Sequence, residues 1–250
     1  MNIKLQRYYE ADARKNLEFK PRFPVRVNVI CVTMRPHLID EIIAKINSQT
    51  VKIHTVSFIT QDFSLNDKHR LRTGITNGTV TIQDIPSDIK ISLGERHNRA
   101  MDAIDSGITA IMDDDDYYAP NYLRGQVNTL IRKRVDLVNK ADAIVTNVTR
   151  SRTGWISPFR PSDRLSIIGP GGSLVFAYNL YRKIRFADVQ SGYDAIMQQH
   201  AYVLGLKVAS SDPFNFAVVR GLSDHTWADS ANVMELGLRI NDIDFKDVAL

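Results

Sequence analysis

Apolar and polar positions along this chain switch repeatedly between a period near two and a period near 3.6. Residues 27–33, Val-Asn-Val-Ile-Cys-Val-Thr, are a short β-branched run that predicts a buried strand. It leads into Arg35-Pro36, and Leu38, Ile39, Ile42, Ile43 and Ile46 then recur at the spacing of one buried helix face. Residues 55–60 and 79–84 predict two more strands, the first running out at Gln61-Asp62 and the second ending at Asp84. Ser92-Leu93-Gly94-Glu95 opens a helix with His97, Ala100, Met101 and Ile104 turned inward, and Gly107 stops it before the apolar run Ile108–Met112. A helix over 121–134, a strand over 173–177, a helix over 192–204, a strand over 206–209 and a final helix near 230–240 complete the pattern. Strands alternating with helices predict an α/β fold whose mostly parallel sheet is covered on both faces.

Two stretches break the rhythm. A polar leader ends near Pro24, and between about 149 and 173 the chain is interrupted by Gly154, Pro158, Pro161, Gly169, Pro170, Gly171 and Gly172. A Pro/Gly-rich segment of that length inside a domain is expected to be a functional loop, here a lid or acceptor loop carrying Trp155. The 250 residues and 44% apolar content fit one domain with a sizeable core. No repeat is visible, and no apolar stretch approaches the roughly 18 residues that span a bilayer, so a soluble, cytoplasmic chain is expected. Cys31, the single cysteine, reads as a small buried hydrophobe, and the net charge of +4 favours anionic partners only weakly.

The chemistry concentrates at Asp113, Asp114, Asp115 and Asp116, which follow the apolar run directly. Carboxylates clustered at a strand end either hold a cation or repel one another. In open α/β sheets ligands bind beyond the carboxyl ends of strands, and Mg²⁺ or Mn²⁺ takes oxygen donors and bridges readily to a diphosphate. The competing reading is a solvated acidic turn.

Taken in order, residues 27–36, the helix ending Ser48-Gln49-Thr50, the segment Gly94–Ala100 and the run Met112–Asp116 with Pro120 resemble the nucleotide-binding half of a GT-A fold glycosyltransferase, most similar to family 2. The resemblance spans about 27–226. It implies a GT-A domain over 25–227, with a nucleotide-binding part over about 25–120 and an acceptor part over about 121–227. An extension, 1–24, precedes it, and a helix and tail, 228–250, follow. It further implies an enzyme that uses Mn²⁺ or Mg²⁺ to move a sugar from a nucleotide diphosphate sugar to an acceptor hydroxyl on a glycan, lipid-linked or other molecule, with inversion. Asp113 and Asp114 would contact the donor, Asp115 would ligate the metal, and Asp116 would brace the loop. Thr33, Arg35, Asp62, Gly94, Arg96 and Asn98 would complete the donor site. The family's Arg-Asn pair is displaced in Gly94-Glu95-Arg96-His97-Asn98, so Arg96 or His97 would take the arginine's place. Gly171 and Gly172 would floor the acceptor site together with Trp155, His225 would complete the metal site, and Asp194 would be the general base. Asp194 also reads as a helix cap or first-turn acid, and His225 as a structural histidine.

A sugar nucleotidyltransferase would need a Gly-rich, lysine-bearing phosphate loop after the first strand, where Thr33-Met34-Arg35-Pro36 stands instead. A nucleic-acid- or metal-binding module, or a transferase acting on modified nucleic acid, would use the basic and aromatic segment Arg150 to Arg164, but no reader motif accompanies it.

Overall fold

The computed structural model describes residues 3–147, 152–156, 168–220 and 239–240. The polar leader folds as helix α1 (Ile3–Glu18), which the sparse apolar pattern does not announce. It is held mainly by polar contacts to a later helix, α5 (Tyr122–Lys133). Asp12 pairs with Arg132 and, at 3.2 Å, with Lys133, and the Asn128 amide donates to the carbonyls of Asn16 and Phe19.

Strand β1 (Val27–Thr33) is buried except at the half-buried Val32, with Val27, Val29 and Cys31 in one hydrophobic cluster and Ile30 in the other. Alternate residues of a strand face opposite sides, so this run needs cover on both. Helix α2 (Ile39–Asn47) supplies it on the first side through Ile39, Ile42 and Ile46, as the spacing predicts. Ile42 is wholly buried, and truncating such a side chain to alanine costs about 2–5 kcal/mol.

Strand β2 (Thr55–Gln61) is followed by α3 (Leu65–Gly74), β3 (Thr79–Ile85), α4 (Leu93–Asp102), β4 (Ile108–Ile111) and the two-residue β5 (Tyr117–Tyr118). After α5 come β6 (Leu137–Asn139), β7 (Ala143–Asn147), β8 (Arg152–Ile156), β9 (Val175–Ala177), α6 (Tyr178–Tyr181), α7 (Tyr193–Val203), β10 (Val208–Ser210), β11 (Phe216–Arg220) and β12 (Arg239–Ile240). The helix expected near 230–240 is replaced at its end by β12, whose backbone pairs with Gly154 and Trp155 of β8; the rest of it lies outside the described residues.

The central sheet has the order β10-β6-β9-β4-β1-β2-β3, parallel except for β9, which runs against both β4 and β6. Helices α2, α3 and α5 cover one face, and α4, α6 and α7 the other. A smaller sheet, β12-β8-β7-β11-β5, sets out from the residues just after the aspartates. The carboxyl ends of β1, β2 and β4 therefore share one edge, where Thr33, Gln61 and Asp113 emerge.

Candidate active site

The chain leaves β4 with the Met112 amide still bonded to Ile30, then turns through the four aspartates. Lys45 of α2 reaches under this turn and donates to the carbonyls of Asp113, Asp114 and Asp116 at 3.3, 2.7 and 3.0 Å. The Asp113 amide donates to the Tyr118 hydroxyl at 2.8 Å, and that hydroxyl donates onward to the Gly172 carbonyl at 2.9 Å. Neither Lys45 nor Tyr118 was singled out by the sequence.

The four carboxylates divide their work. Asp114 is buried and internally neutralised, taking the Thr33 hydroxyl at 2.6 Å and Arg35 at 2.9 Å. Asp113, Asp115 and Asp116 converge, each offering an oxygen within 4.8 Å of the others. Asp115 is also held by both Arg35 Nη atoms at 3.2 and 3.1 Å. Asp116 accepts the Val219 amide at 3.1 Å and lies 3.6 Å from Arg220, so β11 braces it. Burial raises the Asp113 carboxyl well above its ordinary range, and Asp116, Asp115, Asp114 and Asp194 raise it further. Asp116 is pushed up to about 7 by burial and by Asp115, against the opposing pull of Arg220 and the Val219 amide. Like charges this close cannot all ionise unaided. Ligand oxygens about 2.0–2.6 Å from one ion lie at just such separations from one another, so the donor set fits Mg²⁺ or Mn²⁺.

Gly171 and Gly172 sit against this cluster in a single helical turn, Gly171–Ser173. A Cβ on Gly172 would lie 2.7 Å from the Tyr118 hydroxyl, 2.8 Å from Asp113 Oδ2 and 3.0 Å from Asp116 Oδ2. A Cβ on Gly171 would lie 3.0 Å from Asp194 Oδ2. Two adjacent glycines thus separate the carboxylate cluster from Asp194 by little more than the width of a dipeptide. Gly192, in the left-handed region at φ 77°, is the N-cap of α7, and Asp194 stands in the first turn. Burial raises its carboxyl above the ordinary range, while the amides of Ala195 and Gly171 pull it down.

The expected donor residues part company here. Thr33, Arg35 and Asp114 form one connected group that extends to Asp115, and Asp113 converges on Asp115 and Asp116. Arg96 and Gln61 line a cleft of about 380 Å³ with Ser87, Ile89 and Ile91 at the ends of β2 and β3. Asp62 is exposed on the rim of this region and accepts the Ser87 amide at 3.1 Å. His97 does not line that cleft: it is buried, stacked on Tyr193 at 4.6 Å, and burial brings its pKa down to about 4. Gly94 and Asn98 have structural employment. The Ala187 carbonyl occupies the place where a Gly94 Cβ would go, at 1.9 Å, and the Asn98 side chain exchanges two 3.0 Å bonds with the Phe186 backbone. Both fasten α4 to the segment before α7. Trp155 contributes backbone pairing in β8. His225 and most of the expected lid lie outside the described residues.

No protein-family model and no curated protein matches the chain. Among solved structures it is similar to the mannosyltransferase PcManGT from Pyrobaculum calidifontis in complex with GDP-Man and Mn²⁺, with a TM-score of 0.61 at 18% identity over 88% of this chain. It is similar also to S. aureus TarS 1-349 in complex with UDP-GlcNAc, with a TM-score of 0.61 at 14% identity over 84% of this chain. The chain spans 65% of the length of each. At these identities the likeness is one of fold, and the fold is the GT-A-like one of nucleotide-sugar transferases.

Proposed function

We propose that this chain is a metal-dependent glycosyltransferase that moves a sugar from a nucleotide diphosphate sugar to an acceptor hydroxyl with inversion. The observation that supports it best is the placement of Asp194 and the convergent trio Asp113, Asp115 and Asp116 on either side of Gly171-Gly172. Asp113, Asp115 and Asp116 would hold Mn²⁺ or Mg²⁺, which supplies Lewis-acid neutralisation of charge on a departing diphosphate. Thr33 and Arg35 keep Asp114 and Asp115 oriented, so the cluster is organised before donor arrives.

Asp194 takes the proton of the acceptor hydroxyl as its oxygen forms a bond to the anomeric carbon. The bond from that carbon to the diphosphate breaks, and its electron pair leaves with the nucleotide. A buried carboxylate with a raised pKa is suited to this, since a base works best when its pKa approaches the working pH. The glycines leave the space between donor and base open, where any side chain would meet Asp113 or Asp194. Trp155, Gly171 and Gly172 are assigned to the acceptor side and His225 to the metal.

The test is release of nucleoside diphosphate from a panel of GDP- and UDP-sugars with Mn²⁺. Asp194→Asn should retain donor binding and lose about 10² to 10⁴ in turnover. Full turnover in that variant would reject the assignment.

A further inference from the structure

We propose that Gln198 is the positioning residue of the catalytic carboxylate: its side-chain amide ties the backbone at Gly169 to α7 and thereby sets where Asp194 stands against the Gly171-Gly172 turn. The inference rests on the glycosyl-transfer reading above and adds a second residue behind its base.

Gln198 is buried, with 2% of its surface exposed, and lies one turn after Asp194 on α7. Helical side chains lean toward the helix N-terminus, so its amide is carried back over the turn that holds Asp194. There Nε2 donates to the Asp194 carbonyl at 3.1 Å and to the Gly169 carbonyl at 2.9 Å. Oε1 accepts the Gly169 amide at 2.9 Å and Asn139 Nδ2 at 2.6 Å. A glutamine amide offers two donors and two acceptor lone pairs, and all four are engaged here. Only one orientation of the group satisfies them, and it joins α7, β6 and the chain that enters the glycine turn.

The bonds to Gly169 carry the argument. One side chain holds both backbone groups of that residue, as the opposite residue of an antiparallel strand would. A Cβ at Gly169 would lie 2.9 Å from Asn139 Cβ and Cγ, so this close approach needs glycine. Pro170 follows at φ −54°, fixed by its ring, and Gly171 comes next. The Gly171 amide in turn reaches the Asp194 carboxyl. A closed circuit results, from the Asp194 carboxyl through Gly171, Pro170 and Gly169 to the Gln198 amide, and back to the Asp194 carbonyl. The far end of the turn is clamped separately, by Gln126 on the Ser173 carbonyl at 2.9 Å and by Ser173 Oγ on the Pro170 carbonyl at 2.7 Å.

Burial shuts Gln198 off from donor and acceptor, so it acts through Asp194. Removing its amide frees Gly169 and lets the Gly171 amide drift from the carboxyl. The metal trio keeps its own supports in Lys45, Arg35 and the Val219 amide. A displacement of about 1 Å in a reacting geometry costs on the order of a hundredfold in rate.

The experiment follows release of nucleoside diphosphate from GDP- and UDP-sugars with Mn²⁺, and calorimetric binding of GDP and UDP with Mn²⁺, in the wild type, Gln198→Met, Asp194→Asn and the double variant. Gln198→Met is expected to lower kcat by about tenfold to a hundredfold, while donor KM and Mn²⁺-dependent nucleotide affinity change by less than about twofold. In the Asp194→Asn background the same substitution should cost less than about twofold, because the group it positions is already disabled. An unchanged kcat in Gln198→Met overturns the assignment, and so does a loss of equal size with and without the Asp194 carboxylate, which marks a merely structural glutamine. Gln198→Glu keeps the test alive if Gln198→Met fails to fold: it is isosteric, still accepts from Gly169 and Asn139, and loses the donors to the two carbonyls. A smaller kcat loss with the same dependence on Asp194 is expected of it. Full turnover in Asp194→Asn, or no Mn²⁺-dependent nucleotide release by the wild type, overturns the glycosyl-transfer reading and this one with it.

Discussion

Lys45→Met isolates the support beneath the carboxylate turn, because methionine keeps most of the apolar stem and removes only the ammonium. Three carbonyls lose their donor, at 3.3, 2.7 and 3.0 Å, in a half-buried setting. Hydrogen bonds involving a charged group contribute about 1.5–3 kcal/mol each. The three share one ammonium and the longest is weak, so they do not add, and the net loss should be about 3 kcal/mol. The turn also loses the positive charge nearest its backbone, with Asp113 and Asp116 already driven toward protonation by burial and by their neighbours. For a chain of this length each kcal/mol shifts the melting temperature by about 2–4 °C, so Lys45→Met should melt about 6–12 °C lower. Thermal and urea unfolding by circular dichroism, without divalent metal, read this directly. A drop of less than about 2 °C would refute the claim that Lys45 organises the turn.

Gly172→Ala should remove Mn²⁺-dependent nucleotide binding, because its methyl would meet Asp113 and Asp116 oxygens at 2.8 and 3.0 Å; Gly125→Ala, with nothing within 4 Å, should leave binding intact and stabilise α5 by about 0.5–1 kcal/mol. His97 gives a pH signature. Its folded pKa of about 4 lies below its ordinary 6.5, so the unfolded chain binds the extra proton. The stability held by neutral His97 is therefore complete above about pH 6.5 and drains as pH falls toward 4, by about 3 kcal/mol in all. Urea midpoints measured between those values should fall less steeply in His97→Leu than in the wild type, and parallel slopes would contradict the assignment. Asp84 titrates in the same sense but lower: burial alone would raise its carboxyl, yet Thr60, the Phe63 amide and Lys68 hold it below the ordinary range. Asp84→Ala should consequently destabilise at neutral pH and converge with the wild type in acid, as parallel urea titrations would show.

How much of this was legible in the sequence depends on where each signal is written. β1, α2 and the strand leading to the aspartates were readable because their apolar residues recur at one period and are buried as that period requires. The aspartate cluster was readable because it abuts a buried strand. Helix α3 was not, since Leu71 is its one buried residue; the capping box of Ser64 and Asp67 was the signal available. α1 escaped for a related reason, as it docks through Asp12, Asn16 and Tyr9 more than through apolar contact. The role of Lys45 has no local signature at all, because its partners lie nearly seventy positions downstream and only the fold brings them together. The same holds for Gln61 beside Arg96 and for the reversal of β9 within the sheet. Asp194 was readable as an acid at a helix start, but its nearness to the cluster was not: that depends on two glycines whose lack of side chains matters only once α7 is packed.

The central claim is that Asp113, Asp115 and Asp116 form a metal-bridged nucleotide site. Calorimetric titration of GDP and of UDP into the wild type and into an Asp113→Asn, Asp115→Asn double variant, each with Mn²⁺ and again with excess chelator, tests it most directly. For at least one of the two nucleotides, Mn²⁺ should tighten binding to the wild type by more than about tenfold, or 1.4 kcal/mol, and should do nothing for the double variant. Equal affinity with metal and with chelator, or an undiminished metal effect in the double variant, would contradict it.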